Sequence, residues 1–216
     1  MTFGALFDLD GVLIDSERLY TEFWAAVGVR YGIPSPTFAL DIKGTTLKDI
    51  FSKYFPDELV RKTLANEIVD FEAKVVYPVY DGVKSFLEEL KSAGYKTAIV
   101  TSSNDKKMER LFAQQPWMKD EFDAIITDSY VKNSKPNPEG YLLAASTIGC
   151  KPSHCYVFED SLQGLSAGRN AKAGAVIGLA TTLPRHSLEG KADMIFDSFT
   201  EISLKVLPKL DNVTWH

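Results

Sequence analysis

Apolar residues come in two rhythms along this chain. Short continuous runs occur at Ala5-Leu6-Phe7, Thr97-Ala98-Ile99-Val100, Ala124-Ile125-Ile126, Cys155-Tyr156-Val157-Phe158, Ala175-Val176-Ile177 and Met194-Ile195-Phe196. Runs of this length, apolar at every position, predict strands covered on both faces, as in a parallel sheet. Helix-period segments separate the later runs; the first, Asp81–Ala93, is closed by Gly94 at the position after its C-cap. Segment 15–78 keeps only the helical rhythm. Leu19, Tyr20, Phe23, Trp24 and Val27 predict a helix that Gly32 and Pro34 stop, and Thr46–Phe55 and Asp57–Val76 predict two more, with Pro56-Asp57 as break and N-cap. The expected fold is α/β: a Rossmann-like parallel-sheet core from 1–14 and 79–216, with an inserted α-helical cap domain at 15–78. Such an insert leaves the first strand at its carboxyl end, the edge where open α/β sheets bind ligands, and is placed to act as a lid.

Four of the predicted strands run into polar chemistry at that edge. Asp8 and Asp10 follow the first, Thr101-Ser102-Ser103-Asn104 the second, Lys135-Pro136-Asn137-Pro138-Glu139 lies past the third, and Glu159-Asp160-Ser161 follow the fourth. Taken singly each has a plain structural reading: Asp10-Gly11 as a turn, Thr101–Asn104 and Asp160-Ser161 as helix caps, Lys135-Pro136 as a surface loop. Their joint occurrence, in this order on one edge, outweighs those readings. Two aspartates two residues apart at a strand end crowd like charges and need a cation or a proton. Asp8, Asp10 and Asp160, with Glu159 nearby, suit a hard cation. Magnesium takes oxygen ligands and typically bridges carboxylates to a substrate phosphate. Lys135 and the hydroxyls would hold the remaining phosphate oxygens, and a loop such as Thr101–Asn104 opening a helix offers free N–H groups to an anion.

Composition narrows the setting. With 216 residues, 45% hydrophobic and 25% charged, the chain has the makeup of a soluble globular protein with a full core. No apolar run approaches the roughly 20 residues of a spanning helix, and the Met1-Thr2-Phe3-Gly4 start lacks the basic region of a secretory leader. A cytoplasmic location without membrane association is expected. Net charge is −5 with no long basic run, so no nucleic-acid partner is expected. Cys150 and Cys155, beside His154, match no zinc or disulfide spacing and are read as apolar packing residues. His154, His186 and His216 fall outside every motif and are read as surface or loop residues.

Together the motifs resemble those of the haloacid dehalogenase-like hydrolases, in the branch holding β-phosphoglucomutases and small sugar phosphatases. Asp8-Leu9-Asp10-Gly11-Val12 is similar to the family's first motif, Thr101-Ser102-Ser103 to the second, Lys135-Pro136-Asn137-Pro138-Glu139 to the third and Phe158-Glu159-Asp160-Ser161 to the fourth. The resemblance implies that Asp8 is a nucleophile forming an aspartyl-phosphate and that Asp10 is the general acid and base. It also implies that Thr101 and the Ser102 backbone, with Ser103, bind the phosphoryl group while Lys135 offsets charge. Mg2+ would be held by Asp8, the Asp10 carbonyl and Asp160, with Glu159 in support, and a monomer is the family's habit. In this superfamily the dehalogenases lack the second aspartate, so Asp10 argues against halide chemistry.

Two departures separate the chain from the mutases: Tyr20 stands where they carry a histidine, and the cap loop Lys43-Gly44-Thr45-Thr46-Leu47 ends in leucine where theirs supplies an arginine. Both favour phosphate transfer to water, and the expected activity is a magnesium-dependent phosphatase acting on a small phosphorylated metabolite, with sugar phosphates the expected class. A phosphosugar mutase is the alternative, and a non-catalytic phosphometabolite-binding protein the alternative of another kind. Substrate contacts on the cap are expected from Tyr20, Lys43, Thr45, Thr46 and Lys48. Trp24, four residues after Tyr20, is read as core.

Overall fold

A computed structural model describes residues 2–42 and 47–210, the side chains of Lys48 and Asp49 excepted. The chain divides into two compact units, one of Met1–Asp15 with Tyr77–His216 and one of Ser16–Val76. In the first unit β1 (Gly4–Phe7) is buried at all four positions. The second unit holds α1 (Ser16–Arg30), α2 (Phe38–Asp41), α3 (Leu47–Tyr54) and α4 (Glu58–Lys74). The first unit resumes with α5 (Val83–Ser92), β2 (Lys96–Val100), α6 (Asp105–Gln114), α7 (Pro116–Glu121), β3 (Ala124–Ile126) and α8 (Glu139–Thr147). It ends with β4 (Cys155–Glu159), α9 (Leu162–Asn170), β5 (Ala175–Leu179), α10 (Arg185–Leu188) and β6 (Met194–Phe196). Among the described residues no helix is long and apolar enough to cross a membrane.

The strands form one parallel six-stranded sheet in the order β3-β2-β1-β4-β5-β6, the Rossmann-like α/β core expected from the alternation of runs. Side chains alternate between its faces. Leu6 and Val157 enter a cluster with Tyr141, Ala144 and Leu165, which also takes in both free cysteines. On the opposite face Phe7 stacks on Phe158 with ring centroids 4.6 Å apart, and Phe86 meets Phe158 edge-on at 5.5 Å. Phe7 pairs with Ile99 on one side and Phe158 on the other. One residue further on, that register brings Asp8, Val100 and Glu159 level at the carboxyl edge. The fold places the candidate site through this alignment.

The helical unit has an interior of its own. Trp24, Val27, Phe38, Ile42, Ile50, Phe55 and Leu64 form its buried cluster. Trp24 is thus core, as its spacing predicts. Asp57 caps α4 by accepting from the N–H groups of Leu59 (2.7 Å) and Val60 (3.2 Å). The structure adds α2, a single turn too short for periodicity to reveal. It also starts α5 at Val83 rather than Asp81, because Gly82 adopts φ +87, a left-handed conformation that cannot continue a helix.

Candidate active site

Where β1 ends, the chain closes on itself: the N–H groups of Leu13 and Ile14 both donate to the Leu9 carbonyl, at 2.8 and 3.1 Å. Asp8 precedes this turn, with its N–H donating to the Phe158 carbonyl of β4 at 3.0 Å, and its side chain is buried. Its Oδ1 forms an ion pair with Lys135 Nζ. The same ammonium donates to Glu159 Oε1 at 2.6 Å and to the Val100 carbonyl at 3.1 Å, so one lysine ties together the ends of β1, β2 and β4. Glu159 is 0% exposed and also accepts from the Tyr141 hydroxyl at 2.7 Å. Asp160 is 4% exposed, and among the described residues no lysine or arginine pairs with it.

Oxygen atoms of Asp8, Glu159 and Asp160 lie within 4.8 Å of one another. Burial raises the Asp8 carboxyl to about 7, with Glu159 and Asp10 adding to the rise and Lys135 opposing it. Burial likewise lifts Asp160 well above the carboxylate range, helped by Asp8 and Glu159, while the Thr182 hydroxyl and Lys135 offset part of this. For Lys135 burial pulls downward, but the Asp8 and Glu159 carboxylates outweigh it and hold the ammonium charged. Of three buried carboxylates only Asp8 and Glu159 pair with Lys135, and a cation would supply the positive charge that the set lacks. The donors are all oxygen, so the cluster fits a hard metal ion. Gly11 and Gly164 make room for it. A Cβ on Gly11, whose φ is +80, would overlap the Asp160 carboxylate, and one on Gly164 would overlap that of Glu159.

The other sequence candidates divide cleanly. The Asp10 carboxylate is not one of the three clustered carboxylates: Ser103 Oγ donates to its Oδ2 at 2.7 Å, and Lys107 Nζ pairs with its Oδ1. The crowded pair anticipated from the spacing is therefore resolved by giving each aspartate its own lysine. The difference arises because the strand stops at Phe7, so Asp10 sits in the turn rather than on the strand. Thr101 is buried at the end of β2, where its hydroxyl accepts from the Ser103 N–H at 2.9 Å, whereas Ser102 is exposed. Asn104 caps α6 through a 3.0 Å bond from the Lys107 N–H. In the helical unit the Tyr20 hydroxyl donates to Glu72 at 2.9 Å. Lys43, Thr45, Thr46 and the Lys48 side chain lie outside the described residues, as does His216.

Motif reading missed two side chains: Tyr141, which bonds Glu159, and Lys107, which pairs with Asp10. Tyr141 looks like an ordinary apolar position of α8 until its hydroxyl is traced to Glu159. Lys107 carries a subtler signal, since a cation in the first turn of a helix opposes the positive end of the dipole.

Comparison with known proteins shows the family. The profile of the haloacid dehalogenase-like hydrolase family matches residues 5–177. A validoxylamine A 7'-phosphate phosphatase of Streptomyces hygroscopicus subsp. limoneus is 33% identical over 211 residues, covering 92% of this chain and 94% of that protein. A phosphorylated carbohydrates phosphatase of Thermotoga maritima is 33% identical over 198 residues, covering 88% of each. The crystal structure of a family IA, variant 3 hydrolase of the same superfamily from Entamoeba histolytica superposes with a TM-score of 0.78 at 26% identity, over 95% of this chain and 96% of that one. The chain therefore belongs to the haloacid dehalogenase-like hydrolases, in the branch that holds the sugar-phosphate phosphatases and β-phosphoglucomutases.

Proposed function

We propose that the chain is a magnesium-dependent phosphatase of small phosphorylated carbohydrates that works through an aspartyl-phosphate on Asp8. The observation that carries this reading is the Asp8 carboxylate, buried between Lys135 and the paired acids Glu159 and Asp160. A magnesium ion held by Asp8, Asp160 and the Asp10 carbonyl, with Glu159 behind, would neutralise charge on the phosphoryl oxygens. Lys135, whose charge opposes the upward pull of burial on Asp8, keeps the carboxylate aimed while it attacks phosphorus. Asp10, kept apart by Ser103 and Lys107, gives its proton to the departing ester oxygen and then takes one from the water that cleaves the acyl phosphate. Thr101 and the Ser102 main chain bind the phosphoryl oxygens while the group passes to Asp8 and then to water.

Substrate choice is assigned to the helical unit, with Tyr20 and the segment from Lys43 to Lys48 as its contacts. Hydrolysis rather than mutase chemistry is supported by the names of the two relatives and by Tyr20, whose hydroxyl is engaged by Glu72 where the mutases are expected to place a histidine.

The test is release of p-nitrophenol from its phosphate ester, followed by phosphate release across a panel of sugar phosphates ranked by kcat/KM. Turnover should require magnesium, stop with chelator and fall by about four orders of magnitude or more in Asp8→Asn. Turnover unchanged in that variant would remove Asp8 as the phosphate carrier, and isomerisation of glucose 1-phosphate without net phosphate release would make the protein a mutase.

A further inference from the structure

Lys107 occupies an unfavourable place. It lies in the first turn of α6, where the exposed N–H groups and the aligned peptide dipoles repel a cation. Its side chain is only 13% exposed, although a lysine stem can normally carry its ammonium out to water. The ammonium is drawn inward by the ion pair with Asp10 Oδ1 and by the face of Tyr77, whose ring centroid lies 5.3 Å away. The backbone on both sides is held as well. The Lys107 N–H is bound to the Asn104 cap, and the Tyr77 N–H donates at 3.0 Å to Gln114 at the other end of α6. A residue that breaks a local preference and is then braced on several sides is a mark of function.

We infer that Lys107 is a positioning residue, which holds the Asp10 carboxylate where it can deliver a proton to the leaving oxygen. Ser103 grips Oδ2 and Lys107 grips Oδ1, so the two contacts fix both the location of the carboxyl group and the rotation of its plane. One donor alone would leave that rotation free. The step served is cleavage of the ester: an Asp8 oxygen forms its bond to phosphorus, the bond from phosphorus to the ester oxygen breaks, and the Asp10 proton passes to that oxygen. A carboxyl oxygen has two acceptor positions, so it can carry a proton and still accept a hydrogen bond. The inference rests on the Asp8 and Asp10 roles proposed above.

The experiment compares two esters of similar size. p-Nitrophenyl phosphate loses a stable anion that needs no proton, whereas phenyl phosphate loses a more basic oxygen that does. The ratio of their kcat/KM values reports only steps up to ester cleavage, and both are measured on one preparation, so the folded fraction cancels. Lys107→Met should lower kcat/KM for phenyl phosphate about tenfold more than for p-nitrophenyl phosphate, a part of the roughly hundredfold or more that a general acid contributes. Lys107→Gln should behave likewise, and Lys107→Arg should restore most of the phenyl phosphate rate. Asp10→Asn should show a still steeper dependence on the leaving group. Equal losses on the two esters in Lys107→Met, or no loss on either, would overturn the inference while a steep Asp10→Asn leaves the catalytic reading standing. A flat Asp10→Asn would overturn the acid role of Asp10 and this inference with it.

Discussion

The sheet unit and the helical unit treat charge in opposite ways. In the sheet unit Asp8, Glu159 and Asp160 are drawn below the surface, with Lys135 for a partner. In the helical unit the Arg18–Glu22 pair at 2.8 Å leaves more than half of each side chain exposed, and the interior is built from rings and aliphatic chains. Burying an ion costs several kcal/mol even after relaxation. The sheet unit carries that cost where a reaction can use concentrated charge, while the helical unit spends nothing comparable and is held by packing. Variants of the two units should therefore fail in different currencies: activity in one, stability in the other.

The sharpest break of this contrast is Trp24→Ala, which empties the centre of the helical cluster. It should cost about 3–5 kcal/mol in urea unfolding. A loss below about 1 kcal/mol would mean that this unit is not held by its aromatic interior. Glycines offer the next comparison. In Gly164→Ala the new methyl must displace the Glu159 carboxylate, and kcat should fall about a hundredfold, as for a misplaced active-site group. Gly32→Ala, at φ +61 with open space around it, should cost about 1 kcal/mol of stability and leave kcat intact. Similar kcat values for the two variants would erase the distinction between the units.

A gentler probe is pH. Because burial raises the Asp8 carboxyl to about 7, the folded protein retains a proton that the unfolded chain releases above its ordinary value of 3.8. The stability this group contributes is thus full at low pH and is lost as pH rises through about 7. In chelator, the Tm advantage of Asp8→Asn over the wild type should grow from about pH 5 to about pH 8, and magnesium should raise the wild-type Tm more at the upper end. A difference that stays flat would remove the buried negative charge from the account. The smallest effect is expected from Glu22→Gln, which opens the exposed pair on α1 and should change stability by no more than about 0.5 kcal/mol in a denaturant titration.

Much of this contrast was legible in the residues themselves. A strand buried on both faces must be apolar throughout, so the runs stood out, and polar residues directly after them had to lie at the sheet's edge. Helical spacing alone placed Trp24 in a core. What escaped depended on contacts distant in sequence. That Asp8 and Glu159 share an edge was expected, but the register that levels them requires β1 to lie beside β4, and no local pattern encodes which strands become neighbours. Tyr141 looked apolar because a ring serves packing as well as hydrogen bonding. Lys107 looked like one more surface lysine of α6, since only the turn that carries Asp10 toward it reveals its partner. The single turn of α2 was too short to show a period.

The two crossings between the units lie side by side. The Asp15 N–H donates to the Pro78 carbonyl at 2.9 Å, the Tyr80 N–H to the Leu13 carbonyl at 3.1 Å, and Ile14 bridges Val79 in antiparallel fashion. The helical segment thus leaves and returns through a single stitched seam, whose partners all belong to the sheet unit. Closure entropy grows only slowly with the length of what lies between the ends. Such a seam behaves as a socket: recombination can exchange, lengthen or trim whatever is plugged into it while the carboxylates a few residues upstream keep their register. On the division of roles proposed above, new substrates would be sampled by changing the inserted module, with the reaction machinery inherited unaltered.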